Sequence, residues 1–101
     1  MRTYINFKGQ TCDFENEIIE GWREILESLY DDLVFLGWDT ELHQVKEKFG
    51  GLRFYIGHGN DAIFYRINEA EAMSLRTCMV CGKPGELRGT RWLYTSCEEH
   101  K

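Results

Sequence analysis

Ile18, Trp22, Ile25, Leu29, Leu33 and Leu36 return at steps of three and four residues, with Ile19, Leu26 and Tyr30 beside them. That period lays one apolar stripe along a helix. Asp13, with Glu15 and Glu17 just after it, suits the start of such a helix, and Gly37 suits its end. The pattern therefore predicts a helix over about 14–36. Upstream, RTYINFKG alternates loosely and predicts a short strand ending at Gly9.

From residue 42 the period changes from that of a helix to that of a strand. LHQVKEKFGGLRFYIGHG holds two runs rich in Val, Phe, Tyr and Ile on either side of Gly50 and Gly51, predicting a hairpin over about 42–57. With the two glycines as the turn, Phe49 lies opposite Leu52, Lys48 opposite Arg53, Glu47 opposite Phe54 and Lys46 opposite Tyr55. Val45, Glu47, Phe49, Leu52, Phe54 and Ile56 then share the core face. Gln44, Lys46, Lys48, Arg53 and Tyr55 share the other.

Asn60 or Asp61 can cap a second helix over about 61–76, with Ile63, Ile67, Ala70 and Ser74 on its inner line. These elements predict an α+β fold: a small antiparallel sheet carrying two packed helices over residues 1–76, followed by a metal knuckle and hairpin over 77–101. The second helix runs almost directly into Cys78, so the two parts are expected to move as one body.

Composition narrows the class. A chain of 101 residues with 43% hydrophobic content and a single Pro is expected to fold around one core. No apolar run approaches the roughly 18 residues of a membrane span, and the opening MRTYINFKGQ has no continuous apolar region, which predicts a cytoplasmic protein. The net charge of −5 is uneven: residues 1–75 hold fourteen acids and seven bases, residues 76–101 three acids and five bases. Ten of the acids lie between Asp13 and Glu41, where Arg23 is the one base. Such a field opposes non-specific DNA binding, so any nucleic-acid contact has to be local.

Cysteine spacing supplies the clearest chemistry. Cys78 and Cys81 form C-x2-C followed by Gly82, and Cys97 and His100 form C-x2-H fifteen residues on. Pairs at this spacing let two donors converge on one ion from each side, and in a reducing compartment they read as metal ligands before disulfides. Three thiolates and an imidazole suit one structural zinc per chain, with every tetrahedral position filled and none left for a catalytic water. The intervening GKPGELRGTRWLYTS has turn residues at Lys83 to Gly85 and at Gly89-Thr90, as a short hairpin would. Cys12 is left over as a small packed residue.

Among candidate binding residues, Lys46, Lys48 and Arg53 converge on one strand face and Tyr55 adds a ring, forming a cationic strip for a phosphate-bearing ligand such as a nucleotide. Glu47 points to the core face and is expected as a desolvated carboxylate, with Arg23 or Arg66 as its partner. It is also the residue on which an enzyme would depend. His43 and His58, with Asp61 nearby, form a possible second metal cluster at the open end of the hairpin. Two other surfaces compete with the strip. One is the acidic helix face of Glu20, Glu24, Glu27 and Asp31, suited to mimicking nucleic acid or docking on a basic host protein. The other is a zinc ribbon that binds nucleic acid through Lys83, Arg88 and Arg91, with Trp92 stacking.

The run VKEKFGGLRFYI, followed by INEAEAMSLRTCMVCGKPGELRGTRWLYTSCEEH, resembles a family of small bacteriophage and bacterial proteins. Members share a Lys-Phe-Gly-Gly-Leu-Arg-Phe core and a C-x2-C-G knuckle completed by a later C-x2-H or C-x2-C. The similarity covers Gly21-Trp22, the hairpin, Ala70-Glu71 and the knuckle. It implies a phage or mobile-element accessory protein, with a host defence component or its nucleotide signal as partner. The expected activity is non-catalytic binding, and an oligomer is compatible with it.

Overall fold

A computed structural model describes all 101 residues. It is α+β, with two helices and three two-stranded antiparallel sheets. Strands β1 (Thr3–Ile5) and β2 (Thr11–Asp13) form the first sheet, in the register Tyr4 opposite Cys12. Its turn rests on Asn6, whose Oδ1 accepts the N–H groups of Lys8 and Gln10, both at 2.9 Å, while Gly9 takes φ 79°. The sequence pattern offered a strand here and no partner, because the partner is the three residues that run up to the start of the expected helix.

That helix is shorter than its apolar period. Two 3-10 turns, Phe14–Glu17 and Glu20–Trp22, precede helix α1 (Arg23–Phe35), and Ile18 and Ile19 between them are extended. Asp13 does cap, but it caps the first 3-10 turn, accepting from the Glu15 N–H at 3.0 Å. The β-branched pair favours extended backbone. Gly21 lies too close to the C-terminal segment for any side chain: a Cβ there would stand 2.1 Å from the Cys78 carbonyl oxygen. Its N–H is given to the Met79 carbonyl at 3.0 Å, so it cannot serve a helical turn. From Trp22 onward the periodicity holds, with Ile25, Leu26, Leu29 and Leu33 buried.

Strands β3 (Leu42–Lys48) and β4 (Gly51–Ile56) form the hairpin, with its turn one position earlier than expected. Phe49 and Gly50 carry the positive φ values, 55° and 82°, the sign pattern of a type I′ turn. Gly51 instead opens β4 opposite Lys48, where a Cβ would meet Leu75 at 3.0 Å. Each residue of β3 therefore pairs two positions earlier on β4: Glu47 faces Leu52, Lys46 faces Arg53, Val45 faces Phe54 and Gln44 faces Tyr55. A shift of two preserves the faces. Phe49 alone leaves the core face, and is 65% exposed. The register breaks once, between Leu42 and Gln44, so His43 is an extra residue in β3.

Helix α2 (Asp61–Ser74) starts where Asn60 Oδ1 accepts the Ile63 N–H at 2.9 Å, and it buries Ile63, Ile67, Ala70 and Ser74. It packs on both α1 and β4. Two of its side chains also serve the outer edge of β4: Ser74 Oγ accepts the Leu52 N–H at 2.9 Å, and Glu71 Oε2 accepts the Phe54 N–H at 3.0 Å. Residues two apart on a strand direct their free N–H groups to the same side, so a helix can satisfy a sheet edge in this way. Inside the core, the rings of Phe14, Tyr30, Trp38 and Phe54 form a closed set with centroids 4.9–6.5 Å apart.

Strands β5 (Glu86–Arg88) and β6 (Tyr94–Ser96) complete the fold, with Leu87 opposite Thr95. Three contacts dock this C-terminal ribbon on the rest. Gly21 pairs with Met79, Trp22 Nε1 donates to the Thr77 carbonyl at 2.9 Å, and Thr95 Oγ1 donates to the Gly50 carbonyl at 2.7 Å.

Candidate metal centre

The sequence around Cys78 turns back on itself twice. Gly82 N–H bonds to the Cys78 carbonyl at 2.9 Å, and Cys78 N–H bonds to the Lys83 carbonyl at 2.8 Å, with Gly82 at φ 83°. This brings Cys81 back over Cys78. On the other side a 3-10 turn, Glu98–His100, folds His100 onto Cys97. The four donor atoms then lie within 4.8 Å of one another. Cys81 Sγ and Cys97 Sγ are 3.6 Å apart, and His100 Nδ1 is 3.2 Å from Cys97 Sγ and 3.7 Å from Cys78 Sγ.

A tetrahedral ion with sulfurs at about 2.3 Å and a nitrogen at about 2.0 Å has S···S edges of about 3.8 Å and S···N edges of about 3.5 Å. The observed separations fit such a shell. One ligand of each pair, Cys78 and Cys97, is buried, and the other, Cys81 and His100, faces solvent. Burial opposes ionisation of Cys78, but the backbone N–H groups of Cys81, Cys97 and Val80 bring its thiol down to about 6. Burial acts likewise on Cys97, and the contacts with His100, Cys81 and the Glu99 backbone together overcome it, lowering the thiol. The hydrogen bond with Cys97 raises His100. A cation bound at donors of this kind displaces their protons. The cluster could hold one metal ion.

The cationic strip lies on the hairpin face away from the core. Lys46 Nζ sits 6.0 Å from the Tyr55 ring centre, and Lys48 Nζ 5.4 Å from that of Phe49. Arg53 gives one N–H to the Leu52 carbonyl at 3.2 Å.

Glu47 differs from expectation. It faces Leu52 on the core side but is half-buried, and its Oε2 accepts the Gly50 N–H at 2.7 Å, bracing the turn. Neither expected arginine reaches it: Arg23 pairs with Glu15 and Glu20, and Arg66 with Asp32. The histidine cluster also changes membership. His58 is grouped with Asp39 and Glu41 rather than with Asp61, while His43 Nε2 bonds Glu41 Oε2 at 2.8 Å. A bulge at His43 and the left-handed Thr40 (φ 65°) lie beside these side chains, and neither feature leaves a trace in the residue pattern. Cys12 sits on β2, half-buried opposite Tyr4.

Ion pairing sorts the remaining charges. On the acidic helix face, Glu20 pairs with Arg23, Asp31 with Arg2, and Glu27 with both arginines, leaving Glu24 unpaired. On the ribbon, Lys83 pairs with Glu99, and Arg88 with Glu86 and Glu98. Lys46, Lys48, Arg53 and Arg91 have no carboxylate partner.

One feature was not legible in the sequence. Glu47, Lys48 and Phe49 at the hairpin tip and Arg91, Trp92 and Leu93 in the β5–β6 loop line a common open cleft of about 300 Å³. About forty residues separate its two sides in the sequence.

Compared with family models, curated proteins and solved structures, the chain matches none. No helix is long and apolar enough to cross a membrane.

Proposed function

We propose that the protein is a non-catalytic binding module, stapled by one structural zinc, that takes a phosphate-bearing ligand on Lys46, Lys48 and Arg53 with Tyr55 beside them. The observation that carries this reading is the pairing of charges. In a chain of net charge −5, three cations share one strand face and none has a carboxylate partner. Unpaired cations on a common face raise the local anion concentration without a desolvation penalty to undo first. The reading does not favour the acidic helix face, whose carboxylates Glu20, Glu27 and Asp31 are already engaged by Arg2 and Arg23. Zinc is the ion of choice because three thiolates and one imidazole match its softness and its closed four-coordinate sites, and a filled shell leaves no position for an activated water.

Native mass spectrometry on protein purified without chelator tests both parts. The expected result is one zinc per chain and binding of pyrophosphate or a nucleoside polyphosphate that Lys48→Ala with Arg53→Ala removes. Unchanged binding in that double variant overturns the assignment of the strip.

A further inference from the structure

The cleft between the hairpin tip and the ribbon joins two surfaces that the sequence kept apart. Lys48 belongs to both: it ends the cationic strip and lines the cleft. Across from it stand Arg91 and Trp92, and Trp92 is 80% exposed. Exposed aromatic rings carry a hydration cost, and here two of them, Phe49 and Trp92, flank one opening. Phe49 carries a second cost. It takes φ 55° in a turn position that Asn or Gly fills without strain. Residues that break a local rule without a packing return mark functional surfaces.

The two walls are held in fixed relation. Gly50, next to Phe49, lies against the ribbon so closely that a Cβ would stand 2.5 Å from Leu87 Cδ1 and 3.2 Å from the Tyr94 backbone. Its carbonyl accepts from Thr95, which is fully buried. The metal ligands bracket the same ribbon, so the centre fixes where Trp92 stands.

Resting on the phosphate-binding reading above, we infer that the ligand is single-stranded nucleic acid, with a base entering between Phe49 and Trp92 and its backbone following Lys48, Arg53 and Lys46 along the hairpin. Aromatic faces stack on any base, and cations beside them neutralise the phosphates that accompany it. Glu47 lines the cleft and commits Oε2 to the Gly50 N–H; its charge repels a phosphate and its Oε1 accepts from the exocyclic amine of a base, which orients the ligand base-inward. A polymer fits better than a free nucleotide. The cleft is open rather than enclosing, and Lys46 and Lys48 alternate along a strand at about 7 Å, spreading the cations over more than one phosphate.

The test is a tryptophan-fluorescence titration of the metal-loaded protein. Trp22 and Trp38 are buried, at 0% and 4% exposure, so a stacking ligand quenches Trp92 selectively. The probes are a DNA oligonucleotide of about eight residues, an abasic chain of equal length, and ADP. The expected result is quenching by the oligonucleotide, with at least tenfold tighter binding than either other probe. Trp92→Ala and Phe49→Ala should each weaken it about tenfold or more, with unchanged melting for Trp92→Ala. The affinity should fall as salt rises. Equal binding of the abasic chain, with Trp92→Ala silent, overturns the stacking inference and leaves the phosphate reading standing. ADP binding as tightly as the oligonucleotide overturns the choice of a polymer. If binding is lost in Trp92→Ala but survives removal of Lys46, Lys48 and Arg53 together, the phosphate reading itself fails. If no probe binds, both fail.

Discussion

Gly21 gives its backbone N–H to the Met79 carbonyl at 3.0 Å, and it does so with no room for a side chain between them. Two segments nearly sixty residues apart meet there as bare backbone. Gly21→Ala places a methyl group 2.1 Å from the Cys78 carbonyl oxygen, in the segment that positions the first two metal ligands. The expected cost is about 2–4 kcal/mol of stability, with weaker metal retention, because the 3-10 turn and the knuckle have to separate. Thermal melting and a chelator competition on the purified variant measure the two effects.

Metal removal should act on the ribbon before the core. Buried apolar side chains hold the first 76 residues, whereas the buried residues beyond them are Cys78, Thr95, Ser96 and Cys97. A structural zinc contributes about 10 kcal/mol in small zinc-binding peptides, so an ion held by this cluster would staple the ribbon. Chelation, or Cys97→Ser, should release the 77–101 segment to proteolysis while far-UV circular dichroism retains most of its helical signal. Equal protection of both parts after chelation would show the ribbon to be self-supporting.

The edge of β4 makes a contrast between two neighbouring substitutions. Ser74→Ala leaves the Leu52 N–H buried without an acceptor and should cost about 1–3 kcal/mol. Glu71→Gln keeps an oxygen for the Phe54 N–H and should cost less than half as much. Urea denaturation of both variants decides it, and equal costs would show that the hydroxyl is not the acceptor on which this edge depends.

Phe49→Asn relieves a left-handed backbone and should raise stability by about 1 kcal/mol. The same change removes one wall of the cleft, so the oligonucleotide affinity should fall. Stability and binding moving in opposite directions is the signature to look for.

Much of the fold was legible from periodicity and capping. The inner line of α2 is buried residue for residue, and Asn60 caps it through an oxygen that the sequence placed there. The convergence of Cys78, Cys81, Cys97 and His100 was legible because spacing alone constrains which donors can meet. Most of what escaped has one physical origin: contacts between distant segments overrode local preference. The apolar stripe continues through Ile18, but Gly21 is engaged by Met79, so helix α1 begins only at Arg23. The glycine pair announced a turn correctly, but Leu75 occupies the space beside Gly51 and Phe49 takes the strained position instead. Glu47 looked like a buried ion-pair partner because its turn contact with the Gly50 N–H has no sequence signal.

The ion pair between Arg2 and Asp31 of helix α1 gives a pH prediction. The hydrogen bond from Arg2 holds the Asp31 carboxyl below the usual carboxylate range. A depressed folded-state pKa contributes stability above the unfolded value near 4 and loses it as the pH falls through the folded value. The pair is largely exposed, so its worth is about 0.5–1 kcal/mol. Arg2→Ala should therefore melt a few degrees lower than the parent at pH 7, and this difference should shrink toward zero below pH 3. A difference that persists in acid would assign the effect to packing rather than charge.

The side chains of Ser74 and Glu71 also decide how this molecule can be approached. Many adaptor domains recruit extended peptides by lending them a free sheet border, main chain to main chain. On β4 two of the donors for such an embrace are already taken by the protein's own helix. Strand addition is closed on that side, and so is the edge-to-edge association by which small β-hairpins coalesce into aggregates. A partner arriving at β4 must read side chains on the hairpin face, where the sequence has placed its unpaired cations.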